Sequence, residues 1–213
     1  TLYIENHDHP RIISRYGSEK YRVESGKMLA NMYMLQQGTP FIYQGQEIGM
    51  TNIRLNSVSD YVDCFVQNNY KTAREKMQLP EKLCAELAFK STRDNARTPW
   101  FYVNPNYKEI NAAAQENAPD SILNHYRALI KFKKENDVAI WGDYKEHYKN
   151  SDKLYVYERN YNGKRLLVIN SFTEENVAFE APKGFDLEKG TPLLCNYKNP
   201  TVQGNGFKTR PYE

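Results

Sequence analysis

The sequence predicts an α/β fold over residues 1–137, followed by a small antiparallel all-β unit over residues 138–213. Three observations carry this. The opening stretch runs strand, loop, helix, strand, loop, the order of βα units around a parallel sheet. One clear amphipathic helix follows Asp120. Beyond Asp137 the apolar pattern changes to period two, with an Asn-Gly pair set between two β-prone runs.

Thr1-Leu2-Tyr3-Ile4 is β-prone and stops at the polar cluster Glu5-Asn6-His7-Asp8-His9-Pro10. Over residues 25–37 the apolar positions Met28, Leu29, Met32, Tyr33 and Leu35 follow helical spacing, and Gly38 is placed to end the helix. Thr39-Pro40-Phe41-Ile42-Tyr43 reads as a second short strand, broken at Gly45. Residues 51–110 are polar and irregular apart from a helix expected over 81–90, and a stretch this long between regular elements marks function or excursion. Ile122, Leu123, Tyr126, Leu129, Ile130 and Phe132 then form an apolar helical face, with Asp120 or Ser121 as its cap. The hairpin is expected from 153–159 and 165–170 about Asn162-Gly163, with further strands at 177–179, at 191–195 and in the tail. Tyrosines between residues 141 and 161 read as β-domain core by strand alternation.

Composition is that of a globular protein, 40% hydrophobic, and 29 Lys and Arg against 26 Asp and Glu leave a net charge of +3 with no basic block. That excludes the electrostatic footprint of a nucleic-acid or acidic-membrane partner. No apolar run approaches the roughly 18 residues of a membrane span. Cys64, Cys84 and Cys195 are odd in number and widely spaced, which points to free thiols and a cytoplasmic setting. No metal is expected, since His125 lies within the amphipathic helix and His147 has no partner at ligand spacing; no cofactor is expected either. A strand-like opening without an initiating Met reads as a segment of something longer.

Three clusters hold chemistry. His7-Asp8 follows a strand end, where parallel α/β enzymes present reactive side chains; a carboxylate there stabilises positive charge developing on a sugar, and a neutral imidazole donates to a hydroxyl. The same residues also make an ordinary turn. Arg93-Asp94-Asn95-Ala96-Arg97-Thr98-Pro99 offers guanidinium forks for a carboxylate or vicinal hydroxyls, and equally a solvated loop with a local ion pair. In Tyr43-Gln44-Gly45-Gln46-Glu47-Ile48-Gly49, Glu47 is either a support for the site or the cap of the next segment.

Taken together, these blocks resemble the alpha-glucosidases of glycoside hydrolase family 13, in the alpha-amylase superfamily, and most nearly those of the oligo-1,6-glucosidase type. The carrying motifs are Glu5-Asn6-His7-Asp8-His9-Pro10-Arg11 with Ser14-Arg15-Tyr16-Gly17, then residues 38–52, then Arg93 to Pro99, and the close Thr209-Arg210-Pro211-Tyr212-Glu213. The resemblance implies the trailing part of a (β/α)8 TIM barrel over 1–137 and a C-terminal antiparallel β-sandwich domain over 138–213. It implies a catalytic role for Asp8, as the carboxylate that stabilises the transition state, and substrate-binding roles for His7 and Arg93. The implied reaction is retaining hydrolysis of alpha-1,6 or related glucosidic bonds in short oligosaccharides, with an oligosaccharide as the only partner and no nucleic acid or membrane. Trehalose-6-phosphate hydrolase, dextran glucosidase and sucrose isomerase share the blocks.

Three departures stand out. Gln46 replaces the usual Glu. Pro99-Trp100 runs straight into Phe101-Tyr102-Val103-Asn104-Pro105, so a loop that follows this motif in the family is missing, and no role is carried over to Arg97 or Trp100. The family's nucleophilic Asp and general-acid Glu match nothing in this chain. Retaining hydrolysis needs two carboxyl groups about 5 to 5.5 Å apart, and two strands close no barrel, so activity is expected to require the remaining N-terminal barrel segment and the chain alone is expected to be inactive. A rival from another class is a non-catalytic protein on the same fold, such as a transporter ancillary subunit or a sugar-binding module.

Overall fold

The computed structural model describes residues 1–93, 103–198 and 202–213. Two helices organise the first part: α1 (Ile12–Arg15) is a single turn, and α2 (Arg22–Met34) is buried along most of its length, from Ser25 to Met34. A helix enclosed on nearly all sides is a core element, not a surface one. The two strands expected at either end of α2 lie side by side and parallel, but they meet only at a bridge between Leu2 and Pro40. Leu2 donates to the Thr39 carbonyl at 2.9 Å and Phe41 to the Leu2 carbonyl at 2.8 Å. Proline has no N–H to extend such a ladder, and Phe41 and Ile42 stay exposed. Gly38, at φ +128°, lets the chain turn back under Leu2; a Cβ there would sit 3.2 Å from Leu2 Cγ.

The region expected to be irregular holds a helical hairpin, α3 (Cys64–Glu75) packed on α4 (Glu81–Ser91). Only the second was expected. α3 buries just Val66 and Ala73, two turns apart, while Phe65 is exposed and Tyr70 half-buried, so few apolar positions mark it within a polar segment. Its start is fixed by Asp63, whose carboxylate accepts from the Phe65 N–H at 3.0 Å. α5 (Ala112–Glu116) precedes α6 (Ile122–Glu135), which Ser121 caps by accepting from the Asn124 N–H and which buries Ile122, His125, Tyr126 and Leu129 at helical spacing. α7 (Asp137–Trp141) is a final turn before the strands.

β1 (Asp143–His147), β2 (Leu154–Tyr161) and β3 (Lys164–Ser171) form an antiparallel sheet in that order. The β2–β3 hairpin pairs Tyr161 with Lys164 about Asn162 and Gly163, both at positive φ, as a two-residue turn of the left-handed kind requires. β4 (Ala178–Glu180) and β5 (Gly206–Lys208) make a separate two-stranded sheet. Residues 191–195 are not a strand, contrary to expectation: Thr191, Pro192 and Leu193 are exposed, so no alternation of buried positions holds them in a ladder. The tyrosines divide as well. Tyr157 is fully buried, whereas Tyr144 is 42% exposed at the sheet edge.

One face of β2 and β3 packs Tyr157, Leu166 and Val168 onto Ala30, Tyr33 and Met34 of α2 and onto Tyr126 and Leu129 of α6, so a single core joins the helices to the sheet. The Tyr157 hydroxyl completes this by donating to the Met32 carbonyl at 2.8 Å. The other face gathers Leu154 and Val156 with Phe179 of β4. Among the described residues no helix is long and apolar enough to cross a membrane.

Candidate functional site

The loop after the Leu2 bridge is shaped by its own residues and anchored from beneath. Asn6 accepts from the Asp8 N–H at 2.8 Å, the side-chain turn expected of an Asn in this place. Below it Glu5 and Arg11, both almost wholly buried, pair at 2.8 Å. The second oxygen of Glu5 takes the Ile12 N–H at 2.7 Å, and Arg11 also donates to the Gln44 carbonyl at 2.7 Å. Burial pushes the Glu5 carboxyl up, opposed by the charge of Arg11 and the bond from Ile12. This buried pair fixes the loop's exit, which leaves His7 and Asp8 outermost, 69% and 55% exposed. His7 Nε2 lies 3.1 Å from Asp8 Oδ2.

Arg93 arrives from the far end of the helical hairpin. Its Nη1 lies 3.5 Å from Asp8 Oδ1, across 85 positions of sequence. The three residues singled out from the sequence, His7, Asp8 and Arg93, are therefore neighbours in space. A fourth was missed. Asp63 accepts from Arg93 Nε at 2.9 Å, from Nη2 at 2.8 Å and from its backbone N–H at 2.7 Å. Burial works against the Asp63 anion, but the Arg93 side chain and the N–H groups of Phe65 and Arg93 outweigh it and hold the carboxyl below the usual carboxylate range. The bond to Asp63 raises the Arg93 guanidinium in turn. No spacing rule links an acid to an arginine thirty positions on; its only trace in the sequence is an Asp standing where a helix cap would stand.

Asp8 and Arg93 border an open cavity of about 310 Å³, walled also by His9, Phe65, Leu87 and Lys90; His7 and Asp63 are not on its lining. The apolar wall comes from the helical hairpin and the polar wall from the two loops. A hydroxyl-rich ligand with one flat apolar face suits such a lining. Asp8 is the one carboxylate on it among the described residues.

The remaining candidates have structural roles. The Glu47 carboxylate accepts from the Gly45 N–H at 2.9 Å, closing its own turn. Gln46 is buried, and its amide donates to the hydroxyls of Tyr33 at 2.9 Å and Tyr126 at 2.8 Å. A carboxylate in its place would have to accept from both. His125 is buried with Nε2 at 2.7 Å from Asn31 Oδ1, while His147 Nε2 lies 3.2 Å from Glu158 Oε2. Among the described residues no three His, Cys, Asp or Glu side chains group as metal ligands. Cys64, Cys84 and Cys195 are free thiols. Asp94 to Pro99, with Arg97, and the Pro99-Trp100 junction lie outside the described residues.

Comparison with known proteins adds the following. The chain is 42% identical over its whole length to an oligo-1,6-glucosidase of Halalkalibacterium halodurans and 38% identical to a trehalose-6-phosphate hydrolase of Bacillus subtilis, covering 41% of each. Among solved structures it superposes on the trehalose-6-phosphate hydrolase of Bacillus licheniformis with a TM-score of 0.85 at 39% identity, over 99% of this chain and 41% of that one. The trehalulose synthase of Pseudomonas mesoacidophila follows with a TM-score of 0.84 at 31% identity, again over 41% of its length. The chain thus spans about two fifths of the proteins it resembles. The family profile described as alpha amylase, catalytic domain, matches residues 1–142, a stretch that holds the Asp8 loop, the buried Glu5–Arg11 pair and the Arg93 anchor, and this chain belongs to that family.

Proposed function

We propose that this chain is the trailing part of a retaining alpha-glucosidase that hydrolyses alpha-1,6 or related glucosidic bonds of short oligosaccharides. The observation that carries the reading is the meeting of Arg93 Nη1 and Asp8 Oδ1, at 3.5 Å, on the wall of a cavity of about 310 Å³. In this reading Asp8 stabilises the oxocarbenium-like transition state, His7 donates to a sugar hydroxyl, and Arg93 holds the glucosyl unit against Asp8. Residues 1–137 belong to a (β/α)8 barrel and residues 138–213 to a C-terminal β-sandwich domain. The parallel Leu2–Pro40 bridge supports the first, and the two antiparallel sheets meeting at Phe179 support the second.

Among the described residues Asp8 is the one carboxylate on the cavity, and one carboxylate cannot serve as both nucleophile and general acid. The chain by itself should therefore release no sugar, and turnover should need the preceding barrel segment. The direct test incubates the full-length protein with isomaltose and with nitrophenyl alpha-glucoside and follows the anomer formed by NMR. Release of alpha-glucose supports the reading; beta-glucose first, or no release from any alpha-glucoside, overturns it. Turnover by the 213-residue chain alone would overturn the claim about the missing segment.

A second reading keeps the reaction and changes the substrate. Lys90, Arg93 and Arg15 border the same cavity against the one carboxylate of Asp8, and a cationic wall suits a phosphorylated disaccharide. The identity to trehalose-6-phosphate hydrolases supports it. Assays of the full-length protein with trehalose-6-phosphate beside isomaltose separate the two by the ratio of kcat/KM.

A further inference from the structure

We propose that Asp63 is a positioning residue for Arg93, setting the plane and rotation of the guanidinium so that Nη1 is the group turned toward Asp8 and the sugar. The proposal rests on the reading of the Asp8 cavity as a glucosyl site. Nε and Nη2 are both engaged by the two oxygens of Asp63, at 2.9 and 2.8 Å. Such a two-point contact fixes the guanidinium in its own plane, which a single bond does not. Phe65 adds a second constraint, with the guanidinium carbon 4.2 Å from the centre of its ring. Edge and face are thus both occupied. Nη1 lies 3.5 Å from Asp8 Oδ1, a long contact that can give way to a hydroxyl brought between them.

The grip is itself built on a rigid support. Asp63 is buried and caps α3 through the Phe65 N–H. α3 packs on α4, and the Phe65 ring rides on its first turn. The helical hairpin that periodicity half concealed therefore carries the anchor for the arginine. This supplies a reason for an excursion of forty residues between the Gly49 turn and Arg93.

Two roles of Asp63 must be separated, the cap on α3 and the grip on Arg93. Asp63→Asn separates them, because Asn caps a helix as well as Asp does while its amide turns a donor toward the donors of Arg93. In the full-length protein, assayed well below the variant's own Tm, D63N should lower kcat/KM on nitrophenyl alpha-glucoside by 10- to 100-fold. Breaking this buried ion pair also lowers Tm, so the deciding readout is the kinetic loss in protein that is still folded. D63E, which keeps the charge, should recover part of the loss. A second measurement does not depend on turnover. With 15N-arginine labelling, the Arg93 Nε–H signal, assigned by its disappearance in R93K, should exchange with water at least tenfold faster in D63N. If the unaltered protein cleaves no glucoside, the glucosidase reading fails by itself and the exchange rate decides the role of Asp63. Folded D63N with kcat/KM within twofold of the unaltered enzyme, or with unchanged Nε–H exchange, overturns the proposal. A fall in Tm without a kinetic loss would do the same, leaving Asp63 as a cap alone.

Discussion

Arg159, wholly buried on β2, donates through Nη1 to the Leu35 carbonyl at 2.6 Å, one residue beyond the end of α2. Nη1 also donates to the Ala139 carbonyl, while Nε and Nη2 reach the carbonyls of Gly142 and Ile140 at the end of α7. Carbonyls at helix C-termini carry partial negative charge and have no partner within the helix. One guanidinium thus satisfies two helix ends and ties both to the sheet. Lys133 adds to the same end of α2, donating to the Met34 and Gln36 carbonyls; burial and the charge of Arg159 push its amine down to about 8.

Arg159→Met keeps the volume and removes all of these donors. Buried carbonyls left without partners cost about 1 to 3 kcal/mol each, with incomplete additivity. The expected loss is about 3 kcal/mol, read as a lower urea midpoint at unchanged slope. A change under about 0.5 kcal/mol would mean that water reaches those carbonyls.

The Glu5–Arg11 pair gives a second prediction. Breaking a buried ion pair from one side leaves a charge without compensation, at about 3 to 5 kcal/mol. Glu5→Gln should cost that much. Glu5→Gln together with Arg11→Met should recover more than half of it, because the stranded charge is gone. A double variant no better than the single one would show that the Ile12 and Gln44 bonds, not the charge, hold the loop.

His125 sets a pH dependence. Burial, helped by the nearby charge of Lys27, lowers its imidazole from 6.5 to about 4. Between those values the unfolded chain binds a proton that the folded chain does not, so stability rises with pH through this window. It is full above about 6.5 and falls as pH drops toward 4, by at most about 3 kcal/mol. His125→Gln offers an amide in place of the ring, and the difference in unfolding free energy between the two proteins should change with pH over that range and be flat above it. An equal pH slope in both would assign the acid sensitivity to other groups.

Legibility in the sequence followed burial contrast. α6 was plain because Ile122, Tyr126 and Leu129 are buried while Lys131 and Lys134 are exposed, and the hairpin was plain because Asn162-Gly163 demands positive φ. α3 was invisible because two small apolar contacts, Val66 and Ala73, hold a polar helix. The expected strand at 191–195 failed for the opposite reason: Leu194 alone turns toward the core while Thr191, Pro192, Leu193 and Cys195 are exposed, so the β-prone composition answers to no alternating buried face. The candidate site came from motif resemblance, which names residues but not what fixes them. Asp63 acts through a contact thirty positions away, and no local pattern records such a contact.

Asp8 carries the last prediction. Its side chain is 55% exposed, and the contacts holding the loop, Asn6 to its backbone and Glu5 to Arg11, do not pass through its carboxylate. Asp8→Asn should therefore leave the melting temperature within a few degrees. If the carboxylate faces developing positive charge, its replacement by a neutral amide removes an interaction made only in the transition state, so kcat should fall by about 10³ or more with little change in KM. Arg93 sharpens the case: with Asp63 already pairing the guanidinium at 2.8 Å, Asp8 at 3.5 Å is not needed to neutralise it. A variant with near-native kcat and lowered Tm would make Asp8 a structural partner of Arg93. A raised KM at unchanged kcat would make it a ground-state sugar contact, and either result would move the catalytic role elsewhere in the full-length protein.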